Sequence, residues 1–308
     1  MDSKSSYYGS EIKCEEVPNT FPPQHQTRQP GFEYLMIPRP VYDNPHYIGT
    51  GKLNNKVAII SGGDSGIGRA VAVAFAKEGA DIVIAYFDEH EDARETKQAI
   101  EHLGQRCLLI PGDLRNKSHC RYVIACTLET FGKIDVLVNN LAVQFVQNRF
   151  LDISDEQWHT TFDTNLHPFF YMTKAALPYM AEGSSIINTA SINAYIGRKD
   201  LIDYTATKGA IVSFTRALAN NIVDQGIRVN AVAPGPIWTP LIPASFPPDM
   251  VKTFGNNVPM KRAGQPYELA PVYVLLASSD GSYITGQTIH VNGGGFVASS
   301  ALRSKNFS

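Results

Sequence analysis

No apolar run in this chain approaches the roughly 20 residues that a membrane-spanning helix needs. Met1 to Ser10 is polar and lacks the apolar core of a signal peptide. A formal net charge of -2 gives no excess of either sign, so neither nucleic acid nor an anionic membrane is expected as a partner. Four cysteines in 308 residues (Cys14, Cys107, Cys120 and Cys126) are too few for a disulfide framework, and their spacings fit no zinc pattern. Reduced thiols in a cytoplasmic protein are the expectation. The eight histidines include no His-x-x-x-His pair, so no histidine-built metal site is expected. Carboxylate or carbonyl sites for magnesium or calcium stay open. Internal repeats and low-complexity tracts are absent as well.

What is present begins with an unusual first segment. Pro18, Pro22, Pro23, Pro30, Pro38, Pro40 and Pro45 block helix and central strand there. Phe21, Phe32, Tyr34, Tyr42 and Tyr47 are interleaved with them, more aromatics than a freely solvated linker carries. Residues 1–51 are therefore expected to form an extended arm packed on its own body or on a neighbouring subunit. After it, 44 % hydrophobic and 18 % charged residues overall supply a sizeable core.

From Lys56 onward, short β-branched runs alternate with amphipathic helical stretches. The runs are Val57–Ile60, Ile82–Ile84, Cys107–Ile110, Val136–Val138, Ser185–Ile187, Ile227–Val229 and Thr288–Val291. Apolar strands separated by helices indicate a parallel sheet covered on both faces. Seven strands and about six helices predict an α/β, doubly wound (Rossmann) domain over 52–298, followed by a tail over 299–308.

Two clusters carry chemistry. Tyr204 and Lys208 stand four apart at the head of a helical pattern, and Ser191 lies thirteen residues upstream at a strand end. Positions i and i+4 share a helix face, so the ammonium can lie beside the phenol and pull its pKa down from about 10. A second Tyr-x-x-x-Lys pair, Tyr195 and Lys199, is interrupted by Gly197 and is expected in a loop. The other cluster is Ser61-Gly62-Gly63-Asp64-Ser65-Gly66-Ile67-Gly68, where the first strand runs into a helix over Arg69–Lys77. Glycines let a backbone approach a pyrophosphate, and a helix N-terminus presents free N–H groups and a positive dipole end. The spacing is Gly-x-x-x-Gly-x-Gly, not Gly-x-Gly-x-x-Gly.

That variant, with Ser191, Tyr204 and Lys208, resembles the short-chain dehydrogenase/reductase family from Lys56 to Gly294. The N-terminal arm and Pro22–Gln26 are similar to the branch containing glucose/ribitol dehydrogenase-like proteins. The resemblance implies catalysis by Asn165, Ser191, Tyr204 and Lys208, and NAD or NADP as cofactor. It implies a cofactor site made of Ser61, Gly62, Asp64, Ser65, Gly66, Ile67 and Gly68, with Tyr86 and Asp88 after the second strand. Asp113 and Leu114 after the third strand and Asn139 after the fourth complete one side. Tyr204, Lys208, Pro234, Gly235, Ile237 and Thr239 complete the other. Tyr86 ends the second strand, neither Ser65 nor Phe87 supplies a cation for a 2′-phosphate and Asp88 disfavours one, so NAD or dual use is expected, leaning to NAD. Leu141 and Ala142 depart from the family's Ala-Gly, so the backbone beneath the cofactor is expected to differ.

The implied reaction takes a hydride between an alcohol and a nicotinamide, with Tyr204 exchanging the hydroxyl proton and Ser191 holding the reacting oxygen. Substrate contacts are expected from Ser191, Asn193, Gln144 and Tyr204, with Arg198 and Trp238 nearby. The proline-rich stretch from Leu241 to Arg262 is expected to act as a mobile lid. A homotetramer acting on a small-molecule alcohol or carbonyl is implied, with the arm serving assembly more than chemistry. Dehydratases and epimerases share the Tyr and Lys, and a regulatory or structural NAD(P)-binding protein with little turnover stays open as an alternative.

Overall fold

The computed structural model describes residues 18–297, so Cys14 and the expected tail over 299–308 lie outside the described residues. Seven parallel strands form one sheet: β1 (Val57–Ser61), β2 (Asp81–Tyr86), β3 (Cys107–Pro111), β4 (Ile134–Asn139), β5 (Met180–Thr189), β6 (Arg228–Pro234) and β7 (Thr288–Val291). Their spatial order is β3-β2-β1-β4-β5-β6-β7. Alternate side chains on each central strand enter different cores. Ile60, Ile84, Val138 and Ile187 pack on one side, and Ile59, Val83, Leu137 and Ile186 on the other. That two-sided burial is why the central runs Ala58–Ile60, Ile82–Ala85 and Val136–Val138 are continuously apolar, whereas the edge strand β7 (Thr-Ile-His-Val) alternates.

Nine α-helices, more than the six expected, are found among the described residues: α1 (Gly66–Lys77), α2 (His90–His102), α3 (Lys117–Phe131), α4 (Asp155–Asn165), α5 (His167–Ala176), α6 (Asn193–Ile196), α7 (Ile202–Ile222), α8 (Pro248–Lys252) and α9 (Ala270–Ala277). The excess comes from two very short helices and one break. At Leu166, φ −120° and ψ −50° separate α4 from α5, and Pro168 follows in the first turn of α5. α1 begins three residues earlier than Arg69, because the glycine turn itself supplies the first helical residues. Local chemistry fixes several ends. Ser154 accepts a hydrogen bond from the Gln157 N–H at the start of α4, and Gly132 closes α3 in the left-handed conformation at φ 77°.

The N-terminal arm packs on its own body. Phe21 stacks on Trp238 with ring centroids 3.7 Å apart, and the Trp238 indole N–H donates to the Pro38 carbonyl at 2.9 Å. Farther along, Val41 N–H donates to Gln265 Oε1 and Lys77 pairs with Asp43. The arm thus runs from the loops after β6 down the outside of α1 to the start of β1.

α1 approaches β1 with no room for a side chain. A Cβ placed on Gly68 would lie 1.8 Å from the Gly62 carbonyl oxygen, whereas one on Gly104 (φ +85°) meets nothing within 4 Å. Gly68→Ala is therefore expected to cost about 3 kcal/mol by forcing backbone apart. Gly104→Ala is expected to cost only about 1 kcal/mol, for its left-handed conformation. Chemical denaturation of both variants checks the order; equal losses would contradict this packing.

Candidate active site

The strand order reverses between β1 and β4, and open α/β sheets bind ligands in the crevice beyond the strand ends at such a point. A cavity of about 950 Å³ occupies that crevice, with Gly62, Gly66, Asn140, Ser191, Tyr204 and Lys208 among its lining residues. Gly62 (φ +63°) and Gly66 (φ +52°) hold backbone conformations that side chains disfavour. The turn therefore presents bare main chain to the cavity at the start of α1. Its size and its glycine-lined approach to a helix N-terminus fit a dinucleotide.

At the other end of the cavity lie the catalytic candidates. Tyr204 sits in the first turn of α7, buried, and lines the cavity together with Ser191 just beyond β5. Burial pushes the Tyr204 phenol up to about 12, and the Ser191 hydroxyl and the Arg198 charge pull less strongly the other way. The Lys208 ammonium lies 5.5 Å from the Tyr204 ring centroid and donates to the Thr189 carbonyl at 2.8 Å. Burial pushes Lys208 down to about 7. Burial thus favours the neutral phenol at neutral pH, with the serine in the same cavity lining and the lysine anchored behind.

Asn165, the last residue of α4, is wholly buried. Its side chain accepts from Val143 N–H and donates to the Val143 carbonyl, both at 2.8 Å. It fixes the backbone after β4 where Leu141 and Ala142 line the cavity. Asn193 also lines the cavity, and its N–H donates to Ser191 Oγ at 3.1 Å. Gln144 and Arg198 line it too, and Arg198 is paired with Asp200 at 2.7 Å.

Several expected cofactor residues reach the cavity: Gly62, Asp64, Ser65, Gly66, Ile67, Tyr86, Asp113, Leu114, Pro234, Gly235, Ile237 and Thr239. Burial works against ionisation of Asp113, but Arg115, held by several hydrogen bonds, keeps its carboxyl below the usual range. Four others stand behind the lining. Ser61 Oγ accepts from Asn140 N–H at 2.9 Å. Gly68 packs on Gly62. The Asn139 amide donates to Asn188 Oδ1 at 2.9 Å in the core, and it is Asn140 whose side chain reaches the Gly62 carbonyl at 3.2 Å. Asp88 turns to Arg28 of the arm, whereas Asp64 and Glu89 line the cavity, as do Asp113 and Asp200. Burial lifts Glu89 to about 7, and Asp64 beside it adds to the rise.

Three further expectations are modified by the tertiary contacts. Trp238 is fully buried beneath Phe21 and does not line the cavity. Tyr195 packs against His290 at 4.5 Å and Phe296 at 5.1 Å, in α6 and not in a loop, while Lys199 follows Gly197 outside the helix. The stretch after Leu241 is tied down: Gln26 N–H donates to the Pro243 carbonyl at 2.8 Å and Phe21 N–H to the Lys252 carbonyl at 3.2 Å.

Sequence reasoning missed two arm residues altogether. Glu33 is fully buried, and its Oε2 accepts from Gly66 N–H at 2.6 Å. Its Oε1 lies 2.6 Å from Arg69 Nη1. Burial pushes this carboxyl up to about 7 against the pull of Arg69. Gln29 lines the cavity. A charged residue inside a proline-aromatic tract was the one available signal for Glu33, and Gln29 had none.

Fold and site together define a dinucleotide-dependent oxidoreductase, and the chain belongs to the short-chain dehydrogenase/reductase family, whose cofactor is NAD(P). Residues 62–295 match the family described as Enoyl-(Acyl carrier protein) reductase. The chain is 61 % identical over 278 residues to the uncharacterized oxidoreductase YhxC of Bacillus subtilis, covering 90 % of this chain and 97 % of the relative. It is 51 % identical to glucose and ribitol dehydrogenase of Daucus carota (90 % and 97 % covered). It is 50 % identical to the chloroplastic NADPH-dependent aldehyde reductase 1 of Arabidopsis thaliana (89 % and 98 %). Among solved structures, a short-chain dehydrogenase from Burkholderia cenocepacia in complex with NADP superposes with a TM-score of 0.75 at 28 % identity, covering 79 % of this chain and 99 % of that one. Among the described residues no helix is long and apolar enough to cross a membrane.

The buried ammonium has a thermodynamic signature. Lys208 releases its proton near 7 when folded and near 10.5 when unfolded. Between those values the unfolded chain binds more protons, so stability rises with pH; the burden is greatest below about 7. The Tm of the coenzyme-free protein, relative to Lys208→Met, is therefore expected to climb from about pH 6 to about pH 9. A difference independent of pH would contradict the depressed value.

Proposed function

We propose that the protein interconverts an alcohol and a carbonyl compound, with Tyr204 as the proton-transferring group. The observation that carries this reading is that Ser191 and Tyr204 line one cavity beside the glycine turn, with Lys208 anchored to the Thr189 carbonyl behind them. A phenol held neutral near pH 7 is suited to donate a proton to a carbonyl oxygen, and in the opposite direction it recovers that proton from the alcohol. Ser191 offers the reacting oxygen a second hydrogen bond and stabilises developing charge there. Asn165 keeps the backbone at Val143 in place.

The nicotinamide coenzyme supplies or removes the hydride when bound. Gly62, Gly66 and Ile67 would hold its phosphates, Asp113 and Leu114 its adenine, and Lys208 its nicotinamide ribose. Pro234, Gly235, Ile237 and Thr239 would hold its carboxamide end. The carboxyls of Asp64 and Glu89 and the engagement of Arg28 by Asp88 support NAD over NADP at the adenosine ribose. The glucose and ribitol dehydrogenase and aldehyde reductase names of the relatives support polyols, sugars or aldehydes as substrates, with Gln144 and Asn193 as contacts. A cytoplasmic homotetramer is part of the same reading. Exposed Phe150, Leu151, Phe170 and Tyr283 support an oligomer.

An absorbance screen of alcohols, polyols, aldehydes and ketones with NAD(H) and NADP(H) in parallel tests the activity. Tyr204→Phe is expected to lower kcat by about 10²–10⁴ or more while leaving coenzyme affinity nearly intact. Tyr195→Phe, which alters the ring packed on His290, should leave the chemistry unchanged. An active Tyr204→Phe enzyme would remove the assignment.

A further inference from the structure

The segment Gln29-Pro30-Gly31 lines the same cavity as Ser191 and Tyr204. Gln29 presents its amide to the main chain of Gln144 as a neighbouring strand would. Its Oε1 accepts from Gln144 N–H at 2.9 Å, and its Nε2 donates to the Gln144 carbonyl at 2.6 Å. Gln144 then donates from its own Nε2 to Ser245 Oγ at 2.8 Å, and Ser245 Oγ donates to the Leu241 carbonyl. A continuous line of hydrogen bonds therefore runs from the arm through the segment after β4 to the segment after β6.

The arm is fastened on both sides of this crossing. A Cβ on Gly31 would lie 2.7 Å from the Pro240 carbonyl oxygen and 2.9 Å from Ala244 Cβ, so the arm passes here in direct contact with the loop. His25 Nδ1 bonds the Phe246 carbonyl at 3.0 Å. Two residues beyond Gly31, Glu33 reaches the glycine turn through Gly66 N–H. Over a span of only nine residues the chain before β1 touches the coenzyme turn, the segment after β4 and the loop after β6.

We propose that the arm is a wall of the reaction cavity and that Gln29 is a positioning residue, which holds Gln144 and through it the 240–246 loop in the shape that substrate meets. The proposal rests on reading Ser191–Tyr204 as the reaction centre. Without Gln29, two hydrogen bonds to the Gln144 main chain are lost, and the ordering of that segment is drawn from substrate binding. Each such bond contributes modestly on its own, and the loss falls on KM, because neither Gln29 atom touches the proton-transferring groups.

Full-length Gln29→Ala is compared with the parent using hexanal with NADPH and ribitol with NAD as probes. The expected result is a rise in KM of about 10-fold, with kcat within about threefold and NADPH affinity, read by fluorescence, within about twofold. Amide hydrogen exchange should quicken at 141–147 and 240–246, and that readout needs no turnover. Gln29→Glu keeps the chain length and the bond from Gln144 N–H but sets an oxygen against the Gln144 carbonyl. It should show the same pattern, and it serves if Gln29→Ala fails to fold. Unchanged KM and unchanged exchange overturn the proposal, as does a loss of coenzyme affinity as large as the rise in KM, which marks a general structural defect. If the parent turns over neither probe and the wider screen is also silent, the proposed activity fails. The exchange comparison then still decides whether Gln29 holds the two segments.

Discussion

One buried guanidinium ties together the parts of this molecule that make the site. Arg69 in the first turns of α1 is almost wholly buried. Its Nε donates to the Asp64 carbonyl at 3.0 Å and to Thr96 Oγ1 at 2.8 Å, and its Nη2 to the Asp92 carbonyl at 2.8 Å. Nη1 meets Glu33 at 2.6 Å and Glu95 at 3.3 Å. An arginine has five donors and no acceptor, and a buried charge is tolerated only when its donors are met and its charge is balanced. Meeting them fixes the glycine turn through Asp64, α2 through Asp92 and Thr96, and the arm through Glu33. Removing any partner strands part of a charge in the interior, so the three elements hold their mutual places together.

The same constraint of burial shapes the proposed reaction centre. Burial acts in opposite senses on Tyr204 and Lys208 of α7, raising the phenol and lowering the ammonium, because in each case the charged form is the one that loses water. The helix supplies the i, i+4 placement, but the partners come from elsewhere: Ser191 follows β5, and the Thr189 carbonyl that receives Lys208 ends it. Asn165 stabilises the facing wall from a helix break. Groups from separate elements therefore converge at the carboxyl ends of the strands, where the parallel sheet leaves its crevice.

Much of this was legible in the residues. The seven runs each fell in or at a strand, and those of β1, β2 and β4 were the clearest because strands covered on both faces are apolar through their middle. The glycine spacing announced the turn, since Gly62 and Gly66 need left-handed backbone and Gly68 needs the space of a side chain. Tyr204 was separable from Tyr195 by the helical period that follows it. The helix count was less legible, because α6 and α8 are too short for periodicity to register. The exchange of Asn139 for Asn140 in the lining was not legible either: adjacent residues at a strand end point to opposite faces, and the strand's register alone decides which faces the cavity.

By itself the sequence determined what local periodicity, composition and backbone preference can carry: a parallel α/β sheet, a glycine turn against a helix N-terminus, a Tyr-x-x-x-Lys face, and an arm too rich in proline for helix. Only the tertiary structure decided where that arm goes and what it touches. Gln29 and Gln144 are 115 residues apart, Trp238 and Pro38 200 apart, and no local rule links such positions. Proline and aromatics say that a segment is extended and sticky; which surface it covers depends on shape and on unmet donors and acceptors elsewhere. Here those were the carbonyl and N–H of Gln144, the amide of Gly66 and the guanidinium of Arg69, and all three become neighbours only after the sheet has closed.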